Sequence, residues 1–277
     1  MSQAKVCISF DFDAISVWMG SFGQATPTAI SRGEFAAEVA APRILDLLER
    51  EDVPATWFIP GLDAETYPDV CKRVRDSGHE IGHHGYCHEG PVALAEAEER
   101  EVLERGLEAL DGVLGVKPAG YRSPAFDLSP NSVRLLREYG FEYDSSMMAR
   151  DFELYYCREG DVLHRDRVPE WGAQSDLVEV PVSWSLDDFP FTELVVAPPY
   201  MFPGSTDLKA MGERWEADLD FLAKELDGEG VFTLTLHPAA IGRGWRLRML
   251  ESVIRKGKEV GARFTTINDV VSDWKAA

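Results

Sequence analysis

Short runs of alternating or continuous apolar residues recur along this chain, separated by longer stretches in which apolar positions return every three or four residues. Val6, Ile8 and Phe10 interleave with Cys7, Ser9 and Asp11, and apolar residues enter on both sides, which predicts a buried strand over Val6–Phe10. Comparable runs predict strands over Ala55–Ile59, Glu80–His83, Ala119–Arg122, Phe141–Asp144, Leu177–Trp184, Val231–Leu236 and Arg263–Ile267. The clearest helical patterns between them cover Leu94–Leu114, Pro130–Tyr139, Met211–Leu226 and Arg246–Val260. On the first, Val102, Leu103, Leu107, Leu110 and Leu114 form one apolar stripe, and Gly115 follows as a stop signal. Strands alternating with helices predict an α/β fold with a parallel sheet, which right-handed crossovers allow to curl into a barrel. The segment from Ser145 to Asp176 breaks the rhythm. It is charged and holds Tyr155, Tyr156 and Trp171, and an irregular stretch of that length predicts a cover over the site or a subunit contact. No repeat, low-complexity tract or linker divides the chain, so the expectation is a single catalytic domain over residues 1–277.

Composition narrows the function classes. At 277 residues and 45% hydrophobic content the chain can bury a large core. A net charge of −20 argues against nucleic acid and anionic membrane surfaces, because both depend on cationic contacts. The acidic excess falls largely on helix surface such as Ala95 to Glu108. No apolar run approaches the roughly 20 residues of a membrane span. Cys7, Cys71, Cys87 and Cys157 form no paired framework, and the N-terminus passes into the first strand without an apolar leader. Together these predict a cytoplasmic protein.

Four segments carry candidate chemistry. Asp11 and Asp13 follow the first strand, and period-two geometry projects both from one face. Two close, buried carboxylates repel unless a metal ion or an arginine neutralises them. Four of the six histidines lie within ten residues, at positions 79, 83, 84 and 88. His79 and His83 belong to a strand, where residues four apart lie roughly 13 Å from each other, so they are expected to be structural or supporting groups. After Gly85 a helical turn would stack His84 and His88 about 6 Å apart, close enough to share a zinc ion. Cys87 between them would point away. The apolar strand Val231–Leu236 ends on His237, and in a parallel sheet this histidine reaches the same rim as the aspartates. Arg122 also stands at a strand end, where it can pair with a carboxylate.

In this order the segments resemble the polysaccharide deacetylase family, the NodB-like family 4 carbohydrate esterases. The motifs read Ser9-Phe10-Asp11-Phe12-Asp13-Ala14, His84-Gly85-Tyr86-Cys87-His88, Arg122-Ser123-Pro124 and Leu236-His237-Pro238. Trp18-Met19-Gly20-Ser21, Ser31-Arg32-Gly33 and Pro54-Ala55-Thr56-Trp57-Phe58-Ile59-Pro60-Gly61 look most like the branch of cytosolic peptidoglycan deacetylase-like proteins and allantoinase or cyclic-imidase relatives. The resemblance implies a distorted barrel of about seven parallel strands with the site at their carboxyl ends, and a homo-oligomer. It implies Asp13, His84 and His88 as ligands of a divalent metal, with zinc the expected ion. Asp11 is then the base, Arg122 orients it, and His237 protonates the leaving nitrogen. Most members have adjacent aspartates where this chain has Asp-Phe-Asp. The aspartate that steadies His237 falls at Asp187 or Asp188, and the motif does not choose between them. The implied activity is hydrolysis of a non-peptide carbon–nitrogen bond in an N-acetylated glycan. A cyclic imide or ureide is the alternative substrate, and a catalytically silent binding or structural protein is the alternative of another class.

Overall fold

The computed structural model describes residues 3–204 and 207–277. Its strands are β1 (Lys5–Asp11), β2 (Thr56–Ile59), β3 (Glu80–His83), β4 (Gly120–Tyr121), β5 (Tyr143–Asp144), β6 (Tyr155–Glu159), β7 (Ala173–Glu179), β8 (Leu194–Ala197), β9 (Tyr200–Pro203), β10 (Val231–Leu236) and β11 (Arg263–Phe264). In the main sheet they run in the order β10-β1-β2-β3-β4-β5-β7-β6, with β11 beside the start of β1. The seven strands from β10 to β7 are mutually parallel, and β6 joins antiparallel at the end. The chain after β7 crosses back to β10, where Asp187 makes a parallel bridge to Thr235. This curls the sheet into the distorted α/β barrel that the alternation of elements predicts.

The alternation of β1 explains how the barrel is lined. Val6, Ile8, Phe10 and Phe12 pack outward into one apolar cluster with Ile44, Leu48, Leu110, Leu219 and Leu250 from the surrounding helices. Cys7 joins a second cluster with Phe58, Tyr143, Val178 and Val231, which the C-terminal helix Ile267–Ala276 closes with Ile267, Val270 and Val271. Ser9 and Asp11 share the parity of Cys7 and meet Arg122 there. Phe12, between the two aspartates, is buried against Trp57 at 6.2 Å, so the extra residue leaves both acids on the inner side.

Helix Glu96–Leu114 buries Leu103, Leu110 and Leu114 of the expected stripe, and it ends at Gly115 with φ 66°. Several strands are shorter than the pattern predicts, among them β2, β4 and β5 against the runs Ala55–Ile59, Ala119–Arg122 and Phe141–Asp144. The strand expected over Leu177–Trp184 stops at Glu179, and the one over Arg263–Ile267 stops at Phe264, because Ile267 already opens the last helix. The stretch from Ser145 to Asp176 is not irregular throughout: it contains β6 and the start of β7, paired antiparallel. Tyr155 and Tyr156, read as loop aromatics, are strand residues.

One pair of acids lies inside the barrel wall. Asp144 on β5 and Glu179 on β7 are cross-strand neighbours and both are fully buried. Glu179 Oε1 accepts the backbone N–H groups of Ser146 and Met147, each at 2.9 Å, and the Ser146 hydroxyl donates to Asp144 at 2.8 Å. Burial pushes both carboxyls up, Asp144 to about 6 and Glu179 well above the usual carboxylate range. In the unfolded chain both would ionise near pH 4. The stabilising contribution is therefore complete below pH 4 and is lost as pH rises through the folded value of Asp144. Denaturant titrations at pH 4 and pH 7 should show a smaller stability loss in Asp144→Asn than in the native chain.

Candidate active site

Every site residue stands at or just past the carboxyl end of a parallel strand. Asp11 closes β1, His84 follows β3, Arg122 follows β4 and His237 follows β10. All are almost fully buried. The structure brings Asp11, Asp13, His84, His88, Arg122 and His237 to one point on the barrel rim.

The stretch from His84 to His88 is not the helical turn that its spacing suggests. Gly85 has φ 73° and His88 has φ 57°, so the chain makes an irregular loop with two left-handed residues. Its shape comes from the neighbouring Glu89 side chain and from distant contacts rather than from helical backbone hydrogen bonds. Glu89 Oε2 accepts the N–H groups of Tyr86 and Cys87 at 3.2 and 2.7 Å. Gly20 lies so close that a Cβ there would sit 1.6 Å from the Cys87 carbonyl oxygen. The two imidazoles nevertheless meet edge to face with ring centroids 4.8 Å apart. Cys87 turns away, its thiol 3.9 Å from the Ser16 carbonyl.

The tautomers follow from these contacts. His84 Nδ1 lies 2.7 Å from the Arg122 carbonyl, which only accepts, so Nδ1 carries the proton. The Ser21 hydroxyl donates to the His88 carbonyl at 3.0 Å and therefore accepts from His88 Nδ1 at 2.6 Å. Both Nε2 lone pairs are left facing Asp13, at 3.5 Å from Oδ1 for His84 and 3.2 Å from Oδ2 for His88. Asp13 Oδ1 and His84 Nε2 are buried without a hydrogen-bond partner among the described residues. Two ligands held at about 2.1 Å from a tetrahedral ion sit about 3.4 Å apart, so this set fits a divalent metal such as zinc. Burial alone would push the Asp13 carboxyl up, but His88 and His84 outweigh it and hold the group well below the usual carboxylate range. Burial also opposes charge on His84, and the carboxylates of Asp11 and Asp13 raise its pKa against that opposition. The pocket is thus built around positive charge. His83 and His79 stay outside it. His83 donates from Nε2 to the Leu103 carbonyl and accepts the Gly85 N–H, and burial lowers it to about 4, which keeps it neutral.

Arg122 holds Asp11. Its Nη1 donates to Asp11 Oδ1 and to Ser9 Oγ, both at 2.8 Å. Its other nitrogens donate to the carbonyl and hydroxyl of Ser145, and the guanidinium lies 4.2 Å over the Phe58 ring. Asp11 Oδ2 remains directed at the site, 3.8 Å from His84 Nε2 and 3.9 Å from His237 Nε2.

His237 is steadied by Asp188. Asp188 Oδ1 accepts both the backbone N–H and ring Nδ1 of His237 at 2.9 Å. Asp187 approaches Nδ1 only to 3.7 Å and takes the Phe189 N–H instead. Burial works against an imidazolium here, but Asp187, Asp188 and Asp13 outweigh it and push His237 up to about 10. The ring stays protonated at neutral pH and presents Nε2–H to the same space that Asp11 Oδ2 faces.

That space is a cavity of about 50 Å³, walled by Val17, Phe22, Phe126, Trp184, Phe189 and Phe202. It adjoins a groove of about 780 Å³ that shares Ser21, Ala125, Trp184 and Phe202 and extends past Val92 and Pro190. The segment from Ser145 to Asp176 contributes no residue to the lining of either, so it does not cover the site. Its β6–β7 hairpin stands last in the strand order of the main sheet. Ser21 and Ser145 also shape the site, and sequence spacing carries no signal for either: the link of Ser21 to His88 spans 67 positions and that of Ser145 to Arg122 spans 23.

A polysaccharide deacetylase family profile matches residues 30–143. The peptidoglycan deacetylase of Helicobacter pylori is 37% identical over 98% of this chain and 96% of its own length. A Mycobacterium smegmatis crystal structure described as a polysaccharide deacetylase superposes with a TM-score of 0.84 at 33% identity, covering 99% of this chain and 91% of that one. The allantoinase Puue shares the fold, with a TM-score of 0.77 at 23% identity over 100% of this chain and 91% of its own. Likeness of that extent, on a barrel whose four motif segments converge at one rim, places this chain in the polysaccharide deacetylase family.

Proposed function

We infer that the protein is a metal-dependent hydrolase that removes N-acetyl groups from amino sugars of the peptidoglycan type. The observation that carries this reading is the unpartnered pair Asp13 Oδ1 and His84 Nε2 beside the Asp11 carboxyl and the His237 imidazole, which face one space 3.9 Å apart. Asp13, His84 and His88 would hold the cation, which when bound supplies a Lewis acid to the substrate carbonyl. The chain's own groups do the proton work. Asp11 Oδ2 takes the proton from the attacking water, with Oδ1 locked by Arg122. His237 Nε2 delivers a proton to the departing nitrogen, and Asp188 keeps that ring in register. Water and the amide become a carboxylic acid and an amine.

A chamber of about 50 Å³ holds only a few heavy atoms, on the order of an acetyl group, and the larger groove outside it suits a sugar. The same small chamber, walled by aromatic rings, favours a second reading, a small cyclic imide or ureide. Incubation of the zinc-loaded protein with N-acetylglucosamine oligomers, succinimide, hydantoin and allantoin decides between them. Acetate release from the oligomers is the expected result. Ring opening without acetate release would move the assignment to the second reading, and no turnover of any kind would favour a silent binding protein.

Asp188→Asn should lower kcat about 100-fold while zinc content stays at one equivalent, because His237 loses its anionic anchor but no proposed ligand changes. Asp187→Asn should cost much less, and equal losses in the two variants would refute the choice of Asp188. Four unpaired cysteines support a cytoplasmic setting. No helix among the described residues is long and apolar enough to cross a membrane. Leu194, Val196 and Met201 leave an exposed apolar strip on the β8–β9 hairpin, which supports self-association, and light scattering reads it directly.

A further inference from the structure

The short helix Gly61–Thr66 lies between the two loops that carry the proposed ligands, and its first turn is bonded to both. The N–H groups of Gly61 and Leu62 donate to the carbonyls of Gly85 and Tyr86 at 3.1 and 2.8 Å, within the stretch from His84 to His88. One residue further, the Asp63 carboxylate accepts the N–H groups of Ala14, Ile15 and Ser16 at 3.0, 3.1 and 3.2 Å. The Ser16 hydroxyl donates to it as well. These are the three residues directly after Asp13, so the same turn grips the chain beside all three proposed ligands.

Asp63 is fully buried, and the Asp13 carboxylate is close enough to act on it. Adding another carboxyl to such a site is unfavourable unless its hydrogen bonds repay the desolvation. Four donors converge on this carboxyl and offset part of that cost, while burial still pushes it up to about 7, and three consecutive amides held by one group have little freedom left. The Cys87 thiol adds a direct tie from the histidine loop to the Ser16 carbonyl.

We propose that Asp63 is a positioning residue for the metal centre. With Gly61 and Leu62 it sets the separation between Asp13 and the His84–His88 loop before the ion arrives. The inference rests on the reading of Asp13, His84 and His88 as ligands. It assigns Asp63 no contact with substrate or metal. Its consequence is an assembled site in the metal-free protein, so that little ordering remains when the cation binds.

Two measurements test it. The first is zinc affinity by chelator competition in the native chain, in Asp63→Asn and in Glu99→Gln. Glu99 is a buried acid that accepts the Ser129 and Ser132 hydroxyls away from the site, so it reports loss of a buried carboxylate in general. Asp63→Asn should weaken zinc at least about 10-fold, the usual size for a group that supports a ligand, and Glu99→Gln should leave it unchanged at a comparable loss in Tm. The second is amide exchange at Ala14, Ile15 and Ser16 in the metal-free native protein, which should already be slow. Fast exchange there overturns the proposal, as does unaltered zinc affinity in Asp63→Asn. If Asp63→Asn does not fold, the amide exchange of the native protein decides alone. A native chain that binds no zinc sinks the metal reading itself, whereas normal native binding with an indifferent Asp63→Asn sinks only the positioning role.

Discussion

Asp13→Ala should abolish stoichiometric metal binding, and His84→Ala should do the same, while both proteins remain folded. The reason lies in what each atom is otherwise doing. Asp13 Oδ1 and His84 Nε2 have no hydrogen-bond partner among the described residues, and the other ring nitrogen of His84 is committed to the Arg122 carbonyl. Such atoms are expensive to bury unless something occupies the space they face. Removing Asp13 leaves two imidazoles without their carboxylate, and a three-residue donor set falls to two. A loss of at least about 1000-fold in affinity is expected, because two remaining donors cannot close a coordination shell. Elemental analysis after gel filtration gives the stoichiometry. Thermal unfolding gives an independent readout, because an ion that binds only the folded state raises Tm. A chelator should therefore lower the Tm of the native chain and leave that of Asp13→Ala unmoved. Equal metal content in native and Asp13→Ala protein would end the assignment.

Asp11→Asn should keep the metal and lose at least about 1000-fold in turnover. Asp11 lies next to the same centre, yet its two oxygens have different duties. Oδ1 is tied to Arg122 at 2.8 Å, and Oδ2 faces the cavity between His84 and His237. Asparagine fills the same volume and can still accept from Arg122, but it cannot take up a proton. General-base contributions run to about 100–10,000-fold, and a buried base with no alternative acceptor belongs at the upper end. Metal content, measured on the same sample, separates this effect from a loss of ligation. An Asp11→Asn enzyme with native kcat would transfer the base role elsewhere, with Asp13 the nearest carboxylate. The two experiments together distinguish the acids, since Asp13→Ala is expected to lose the metal, whereas Asp11→Asn is expected to keep it and lose turnover alone.

Several features were legible because they are local. The parity of β1 puts Asp11 and Asp13 on the inner side, and a single hydrophobic residue between them is enough to read it. Strand ends at Tyr121 and Leu236 were visible from the apolar runs that precede Arg122 and His237. The stripe on helix Glu96–Leu114 and its stop at Gly115 follow from a 3.6-residue period and a glycine in the left-handed region. In each case the informative residues lie within one turn or one strand of each other.

Other features resisted for a common physical reason. The His84–His88 spacing imitates a helix, but backbone angles there answer to Glu89, Gly20 and the Gly61–Leu62 amides rather than to intrinsic preference. Tyr155 and Tyr156 carry no strand signal in the sequence because β6 is a partly exposed edge strand, where no buried face enforces a clean alternation. The sequence by itself determined the order of elements, the α/β class and which acids and histidines could meet, because strand parity and motif order are properties of the chain. Tertiary structure alone decided that Asp188 rather than Asp187 anchors His237, that Ser21 sets the tautomer of His88, and that Asp63 grips the turn after Asp13. Those bonds join residues 49, 67 and 47 to 49 positions apart, and their lengths depend on how whole elements pack, which no local pattern encodes.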